Sequence, residues 1–289
     1  MEQIWFITGS SRGLGRALVR AALDAGDRVA ATARHPADLD DLVGEVGDRL
    51  HPIALDVGDP EGVRSALAEA HRHFGQLDVV VNNAGYANVA PIETGDEADL
   101  RAQFETNFWG VYHVSKAAIP ILREQRSGVV MQISSVGGRV GGSPGIASYQ
   151  AAKFAIDGFS RVLQAEVAPF GVKVVVVEPS GFRTDWAGRL MTVHDIPEAY
   201  LPTVGATHHR FRQNADGPAG DPARAGAILV QLAKRNDIPF HLPLGVHAAE
   251  ASIRLDEVLL AQDRAWRDVS RSADLGEPFP VEFPPDHTP

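Results

Sequence analysis

Short apolar runs alternate with longer amphipathic segments along the first two thirds of the chain. Ile4 to Thr8, Arg28 to Ala33, Pro52 to Leu55, Asp78 to Val81, Val129 to Ile133 and Val172 to Val177 are rich in Val, Ile and Ala. Runs that are apolar on both faces, each followed by ten or more residues of helical period, predict buried parallel strands and the helices that cover them. The expected fold class is α/β, a doubly wound parallel sheet flanked by helices on both faces. Ligands of such sheets bind beyond the strands' carboxyl ends, so the residues just after each run carry the most weight.

After Val177 the pattern loosens. The stretch 179–222 holds Trp186, Met191, Ile196, Tyr200, Leu201 and Phe211 without a sustained period and reads as a variable substrate lid. Helical patterns follow over Pro222 to Arg235 and Val246 to Val269, with Phe240 to Leu244 as a last strand between them. The proline-rich end, 278–289, reads as an extended or disordered tail. No linker-like break interrupts the pattern, so residues 1–289 are expected to form a single domain.

Composition narrows the chemistry. A net charge of −10 argues against a general nucleic-acid binder or a protein drawn to anionic membranes. There is no cysteine, which removes disulfides and thiolate catalysis and leaves a zinc site only His and carboxylates. His71 and His73 are two apart and do not share a helix face, and His208 and His209 have no spaced partner, so no metal is expected. Met1 to Thr8 lacks a basic region followed by an apolar one, and no run of eighteen apolar residues occurs. The expected location is cytoplasmic, without a membrane partner.

Thr8-Gly9-Ser10-Ser11-Arg12-Gly13-Leu14-Gly15 lies between the first strand and a helical pattern over Leu14 to Ala25. Gly9 permits a tight turn, while Gly13 and Gly15 let a pyrophosphate approach backbone amides at the positive end of the helix. A plain glycine-rich turn is the alternative. Further on, Tyr149 and Lys153 are one helical turn apart, which puts both on one face. An ammonium beside a phenol favours the phenolate and lowers a pKa that is otherwise about 10, making tyrosine usable as acid and base. An ordinary surface pair would show the same spacing.

Thr8 to Gly15, Asn82-Asn83-Ala84-Gly85 and Tyr149 to Lys153 together resemble the short-chain dehydrogenase/reductase family, over about Ile4 to Thr184. The resemblance implies a single-domain Rossmann fold, a nicotinamide dinucleotide, and interconversion of a carbonyl with a secondary or primary alcohol by hydride transfer. It implies Tyr149 as general acid/base, Lys153 lowering its pKa and holding the nicotinamide ribose, and Ser135 on the substrate oxygen. Asn107 would hold a water chain behind Lys153; a solvent-facing asparagine is its alternative. Gly9, Ser11, Arg12, Gly13, Leu14 and Gly15 would cradle the cofactor. Asp56 and Val57 would meet the adenine, with a helix cap as the other reading of Asp56. Asn83, Ala84 and Gly85 would pass close to the adenosine ribose, and Pro179, Phe182 and Thr184 would bind the nicotinamide carboxamide.

The end of the second strand reads Thr32-Ala33-Arg34. Ala33 stands where NAD-preferring relatives carry an acid, while Arg34 and Arg12 would clamp a 2′-phosphate, which favours NADP(H) over NAD(H). Asp38 is a rival ribose ligand if the strand runs longer. Two departures stand out. Ser135 and Tyr149 are fourteen positions apart, one more than the family pattern, which keeps Ser134 as a second candidate. Ser180 replaces the glycine usual after Pro179. Rival functions are a dinucleotide-sensing regulatory protein and an extended-branch epimerase or dehydratase. The resemblance further implies a small carbonyl or alcohol substrate, apolar to match the lid, and a homodimer or homotetramer, unless the C-terminal segment caps that surface.

Overall fold

Alternation within the short runs decides the architecture. In β1 (Ile4–Ile7), Trp5 and Ile7 enter one buried cluster and Ile4 and Phe6 the other, so the strand is covered on both sides. The computed structural model describes residues 2–184, 191–214 and 220–285. Within them run β2 (Arg28–Ala33), β3 (Leu50–Ala54), β4 (Val79–Asn82), β5 (Gly128–Ile133), β6 (Val172–Pro179) and β7 (His241–Leu244). Together with β1 they form one sheet of order β3-β2-β1-β4-β5-β6-β7, and every pairing is parallel. This is the expected doubly wound Rossmann sheet, with its reversal of strand order between β1 and β4.

Helices α1 (Gly13–Asp24), α2 (Asp40–Val46) and α8 (Pro222–Ala233) cover one face through Leu18, Leu42 and Leu229. The other face takes α3 (Pro60–Phe74), α5 (Gly110–Gln125) and α6 (Ala147–Val167) through Leu67, Leu122 and Leu163. Each such side chain taken fully out of water stabilises the fold by about 1.5–3 kcal/mol. Local signals set helix starts: Asp59 accepts from the Glu61 amide ahead of Pro60, and Asp221 from the Ala223 amide ahead of Pro222.

Several boundaries moved by a residue or two, and three of the changes have a clear physical reason. β3 begins at Leu50 rather than Pro52, because Leu50 pairs with Val29 in the core and an edge strand tolerates a proline. β4 runs on to Asn82, whose side-chain amide donates to Gln132 Oε1 at 2.8 Å and so continues the sheet's interior in polar form. The last helical pattern splits at Trp266 into α9 (Val246–Ala265) and α10 (Arg267–Arg271). Residues 281–285 carry no regular structure, and Phe283 of that stretch meets the Trp266 ring edge-on.

The described part of the stretch expected to be a lid, 191–214, packs against the loop that follows β4 and against α6. Val193 forms a parallel bridge with Val89, and Met191 and Val204 are buried with Ala87, Val89, Ile146 and Tyr149. Ile196, Tyr200 and Phe211, the last on α7 (Ala206–Asn214), pack against this cluster, whereas Leu201 is exposed. Trp186 lies outside the described residues.

Candidate active site

The glycine loop fills the reversal point between β1 and β4. Gly9 and Gly13 adopt φ of +67° and +58°, a region that favours glycine. A Cβ on Gly9 would come within 2.9 Å of Ala84 Cα, and one on Gly15 would overlap the Gly9 carbonyl oxygen. Asn83 staples the loop to β4: its side-chain amide donates to Thr8 O at 2.9 Å and to Gly9 O at 3.1 Å. A backbone cradle that side chains would fill, opening on the first turn of α1, fits a dinucleotide pyrophosphate. Thr184 sits against it, since a Cβ on Gly13 would lie 3.6 Å from Thr184 Cβ. Leu14 packs beneath the loop in the same cluster as Phe182, and Ser11 lends its carbonyl to Arg16.

Around this cradle the other expected cofactor residues fall at strand ends. β2 stops at Ala33, so Arg34 is the first residue beyond it and is exposed, as is Arg12 at the start of α1. Asp38 lies past the strand in a short 3-10 turn, where its carbonyl accepts from Arg16 at 2.9 Å. Asp56 accepts from the Gly58 amide, and the cap of α3 is Asp59, which removes the capping alternative for Asp56. Val57 packs against Gly110, and His113 Nδ1 lies 3.2 Å from its carbonyl oxygen. Ser180, the unusual residue after Pro179, donates its amide to Leu244 O at 2.9 Å and prolongs the β6–β7 pairing. The following bridge to Gly220 uses the Gly181 carbonyl and the Arg183 amide, not the Phe182 amide.

Four side chains meet beyond β4 and β5. Tyr149 and Lys153 share one face of α6 and are both buried. Ser135 caps a short turn, Val136–Gly138, accepting from the Gly137 amide at 3.0 Å, and its hydroxyl is hydrogen-bonded to Tyr149. Ser134 donates to the Lys153 carbonyl at 3.1 Å inside the core, so it faces away from the phenol and drops out as the second candidate. Asn107 is wholly buried, which removes the solvent-facing alternative. It sits on a single π-helical turn, Glu105–Trp109, between α4 (Glu97–Phe104) and α5, where a wide turn swings its side chain inward. It accepts from the Tyr86 amide and donates to the Tyr86 and Gln103 carbonyls. Gly85 separates Asn107 from Lys153: a Cβ there would stand 2.6 Å from Asn107 Oδ1 and 3.6 Å from Lys153 Nζ.

The sequence model for short chain dehydrogenases matches residues 3–193. The chain belongs to the short-chain dehydrogenase family. Members bind a nicotinamide dinucleotide and carry out oxidoreduction of the carbonyl/alcohol type, and this chain is an oxidoreductase of that kind. It is 48% identical over 271 residues to "Oxidoreductase BOA17" of Botryotinia fuckeliana, covering 93% of this chain and 98% of that protein. A crystal structure of a short-chain dehydrogenase from Streptomyces avermitilis superposes with a TM-score of 0.87 at 38% identity, over 94% of this chain and 98% of that one. The fold is shared more distantly by 3-ketoacyl-(acyl-carrier-protein) reductase from Brucella melitensis, complexed with NADH. There the TM-score is 0.70 and the identity 23%, over 83% and 95% of the two chains.

Electrostatics in this short-chain dehydrogenase depart from the sequence expectation. Burial pushes the Tyr149 phenol up to about 12, opposed by its bond to Ser135, and pushes the Lys153 ammonium down to about 7. Burial penalises the charged form of both groups and is the largest influence on each. Sequence reasoning also missed a polar knot at the lid. Asp99 accepts from Asn88 Nδ2 at 2.6 Å and Gln103 Nε2 at 2.9 Å, with His194 Nε2 at 3.2 Å. No spacing marks these residues, because they come together from a loop, a helix and the lid. Among the described residues no three His, Cys, Asp or Glu side chains are grouped to hold a metal, and no helix is long and apolar enough to cross a membrane.

Proposed function

We propose that the chain is an NADP(H)-dependent reductase or dehydrogenase that interconverts an apolar ketone or aldehyde with its alcohol. One observation carries the reading: Tyr149, hydrogen-bonded to Ser135, lies one helical turn from buried Lys153, whose Nζ is near Gly85, and the neighbouring Ala84 packs against Gly9 of the glycine cradle. A bound nicotinamide dinucleotide supplies hydride to the carbonyl carbon. Tyr149 donates its phenolic proton to the oxygen that becomes the alcohol, and takes it back in the oxidative direction. Ser135 Oγ donates to the same oxygen as charge develops on it. Lys153, already short of solvent, returns a proton toward Tyr149, and Asn107 holds the Tyr86 peptide and its own helix in place beside Lys153.

Selectivity for the 2′-phosphate rests on Ala33, which offers the ribose no carboxylate, and on the exposed guanidinium groups of Arg34 and Arg12. Gly9, Ser11, Gly13, Leu14 and Gly15 hold the pyrophosphate; Asp56, Val57, Asn83, Ala84 and Gly85 hold the adenosine; Pro179, Phe182 and Thr184 hold the carboxamide. The apolar shell of Val89, Ile146, Met191 and Val204 over Tyr149 favours an apolar substrate. Residues 1–289 act as one domain with 179–222 as its lid, in the cytoplasm. Trp109, Phe154 and Val162 on the α5 and α6 side are exposed, not capped by the described C-terminal residues, and fit a homodimer or homotetramer.

The test is a panel of carbonyls and alcohols with each cofactor, followed at the reduced-nicotinamide absorbance band. Turnover with NADPH preferred over NADH is expected. Folded protein that binds either cofactor yet oxidises or reduces nothing would overturn the assignment.

A further inference from the structure

The loop between Ser135 and Tyr149 contains Gly137, Gly138, Gly141, Gly142 and Gly145, and so has little intrinsic rigidity. Its first turn nonetheless carries the hydroxyl bonded to Tyr149. The Arg139 side chain anchors this turn. Arg139 directly follows the turn Val136–Gly138, and its amide donates to Val136 O at 3.1 Å. Its guanidinium reaches Glu178 Oε2 at 3.2 Å, near the end of β6, and Asp256 Oδ2 at 2.7 Å, on α9.

The Glu178 side chain is only 2% exposed, and burial pushes its carboxyl up while Arg139 pulls it back down. The other titratable groups facing it are His241, 3.9 Å away on β7, and Asp157 on α6, and His241 is already held by Asp157 at 2.5 Å. Arg139 is thus the direct cationic partner of a buried carboxylate, and its removal would leave that carboxylate desolvated beside Asp157. Glu178 in turn precedes Pro179 and Ser180, the strand end that leads to Phe182 and Thr184. The ion pair therefore ties the Ser135 turn to the opposite wall of the site.

We infer that Arg139, gripped by Glu178 and Asp256, is the positioning residue that holds Ser135 Oγ against Tyr149, and that α9 supports the catalytic turn through Asp256. The inference rests on the proposed roles of Ser135 and Tyr149.

Arg139→Met, Arg139→Lys and Asp256→Asn, each alone and with Ser135→Ala, test it by two readouts. The first is hydrogen exchange at Gly138, Arg139 and Val140, whose amides bond to Ser135 O and Val136 O. Arg139→Met should strip their protection, and a segment as protected as in the wild type would overturn the inference, whether or not a substrate is in hand. The second is kinetic. Arg139→Met should lower kcat by about tenfold to a hundredfold, the scale of a displaced catalytic group, with KM for the dinucleotide unchanged. Asp256→Asn should lower kcat by a factor of roughly two to five, as an exposed pair does. With Ser135→Ala already present, Arg139→Met should cost nothing more; an equal fall in both backgrounds would overturn the inference. Arg139→Lys keeps the charge but not the fork and should lie between, which decides the matter if Arg139→Met fails to fold. Absence of turnover in the wild type itself would count against the proposed function, and exchange would still judge Arg139.

Discussion

Lys153 Nζ stands 5.6 Å from the centre of the Tyr149 ring and donates to the Ile133 carbonyl at 2.7 Å, so the lysine is anchored to β5 while its stem lies beside the phenol. Both groups are buried, and each is moved toward its neutral form: Tyr149 up to about 12 and Lys153 down to about 7. Near neutral pH the site therefore holds a protonated phenol and a lysine close to its own midpoint. Carbonyl reduction requires a proton donor with a nearby acid that can return its proton, and the ammonium form of Lys153 can do so.

Tyr149→Phe removes the hydroxyl and leaves the ring in its apolar cluster with Val89, Met191 and Val204. Turnover should fall by about 10²–10⁴-fold, the usual contribution of a general acid, while dinucleotide affinity measured by fluorescence titration holds. Wild-type turnover in this variant would sink the role given to Tyr149.

Lys153→Met should change how stability depends on pH. The folded pKa of about 7 lies below the ordinary lysine value of 10.5. Between those values the unfolded chain binds a proton that the folded chain does not, so this lysine makes wild-type stability rise with pH across that window. Below it both states are charged and the burial penalty is complete. The stability of the variant relative to wild type should therefore shrink from pH 7 to 10, by at most about 1.4 kcal/mol per pH unit, in urea melts. A difference that stays flat with pH would contradict the buried, depressed lysine.

Arg34→Ala should cut NADPH affinity by roughly tenfold to a hundredfold, the scale of a charged hydrogen bond, and leave NADH affinity as it was. Ala33→Asp should move preference toward NADH by supplying the missing carboxylate. The ratio of kcat/KM for the two cofactors reads both effects, and equal losses for NADPH and NADH would count against a phosphate contact.

Asp99→Ala would strand the donors of Asn88 and Gln103 and release His194, the contact that holds the lid strand against Val89. Each buried donor left unpaired costs about 1–3 kcal/mol. Proteolysis within 191–214 should accelerate and KM for an apolar substrate should rise. Because the Gln103 carbonyl also accepts from Asn107, kcat should fall too. A variant with the wild-type cleavage pattern and KM would show that the knot does not hold the lid.

Much of this molecule was legible in one dimension, because the physics behind it is local. Val79 to Val81 reads as a buried strand from apolar content alone, and Asp59-Pro60 and Asp221-Pro222 announce helix starts whatever lies around them. The glycine loop needs only its own φ values and the helix after it, and Tyr149 and Lys153 need only the helical repeat. Sheet class, the glycine turn and the shared helix face of Tyr149 and Lys153 were for that reason determined by the sequence.

What only the tertiary structure decided depends on neighbours distant in the chain. Ser134 and Ser135 are adjacent and both follow β5, and the packing of α6 on β5 turns the Ser134 hydroxyl into the core while Ser135 is bonded to Tyr149. The direction of the Lys153 and Tyr149 shifts is opposite to what adjacency suggests for the phenol, since desolvation is set by everything that covers a group and not by its partner four residues away. The same holds for Arg139, which reads as a lone charge among glycines until β6 and α9 bring Glu178 and Asp256 to it. Periodicity reports which way a side chain points; burial and charge pairing are sums over the whole fold, and they appear only when the fold has formed.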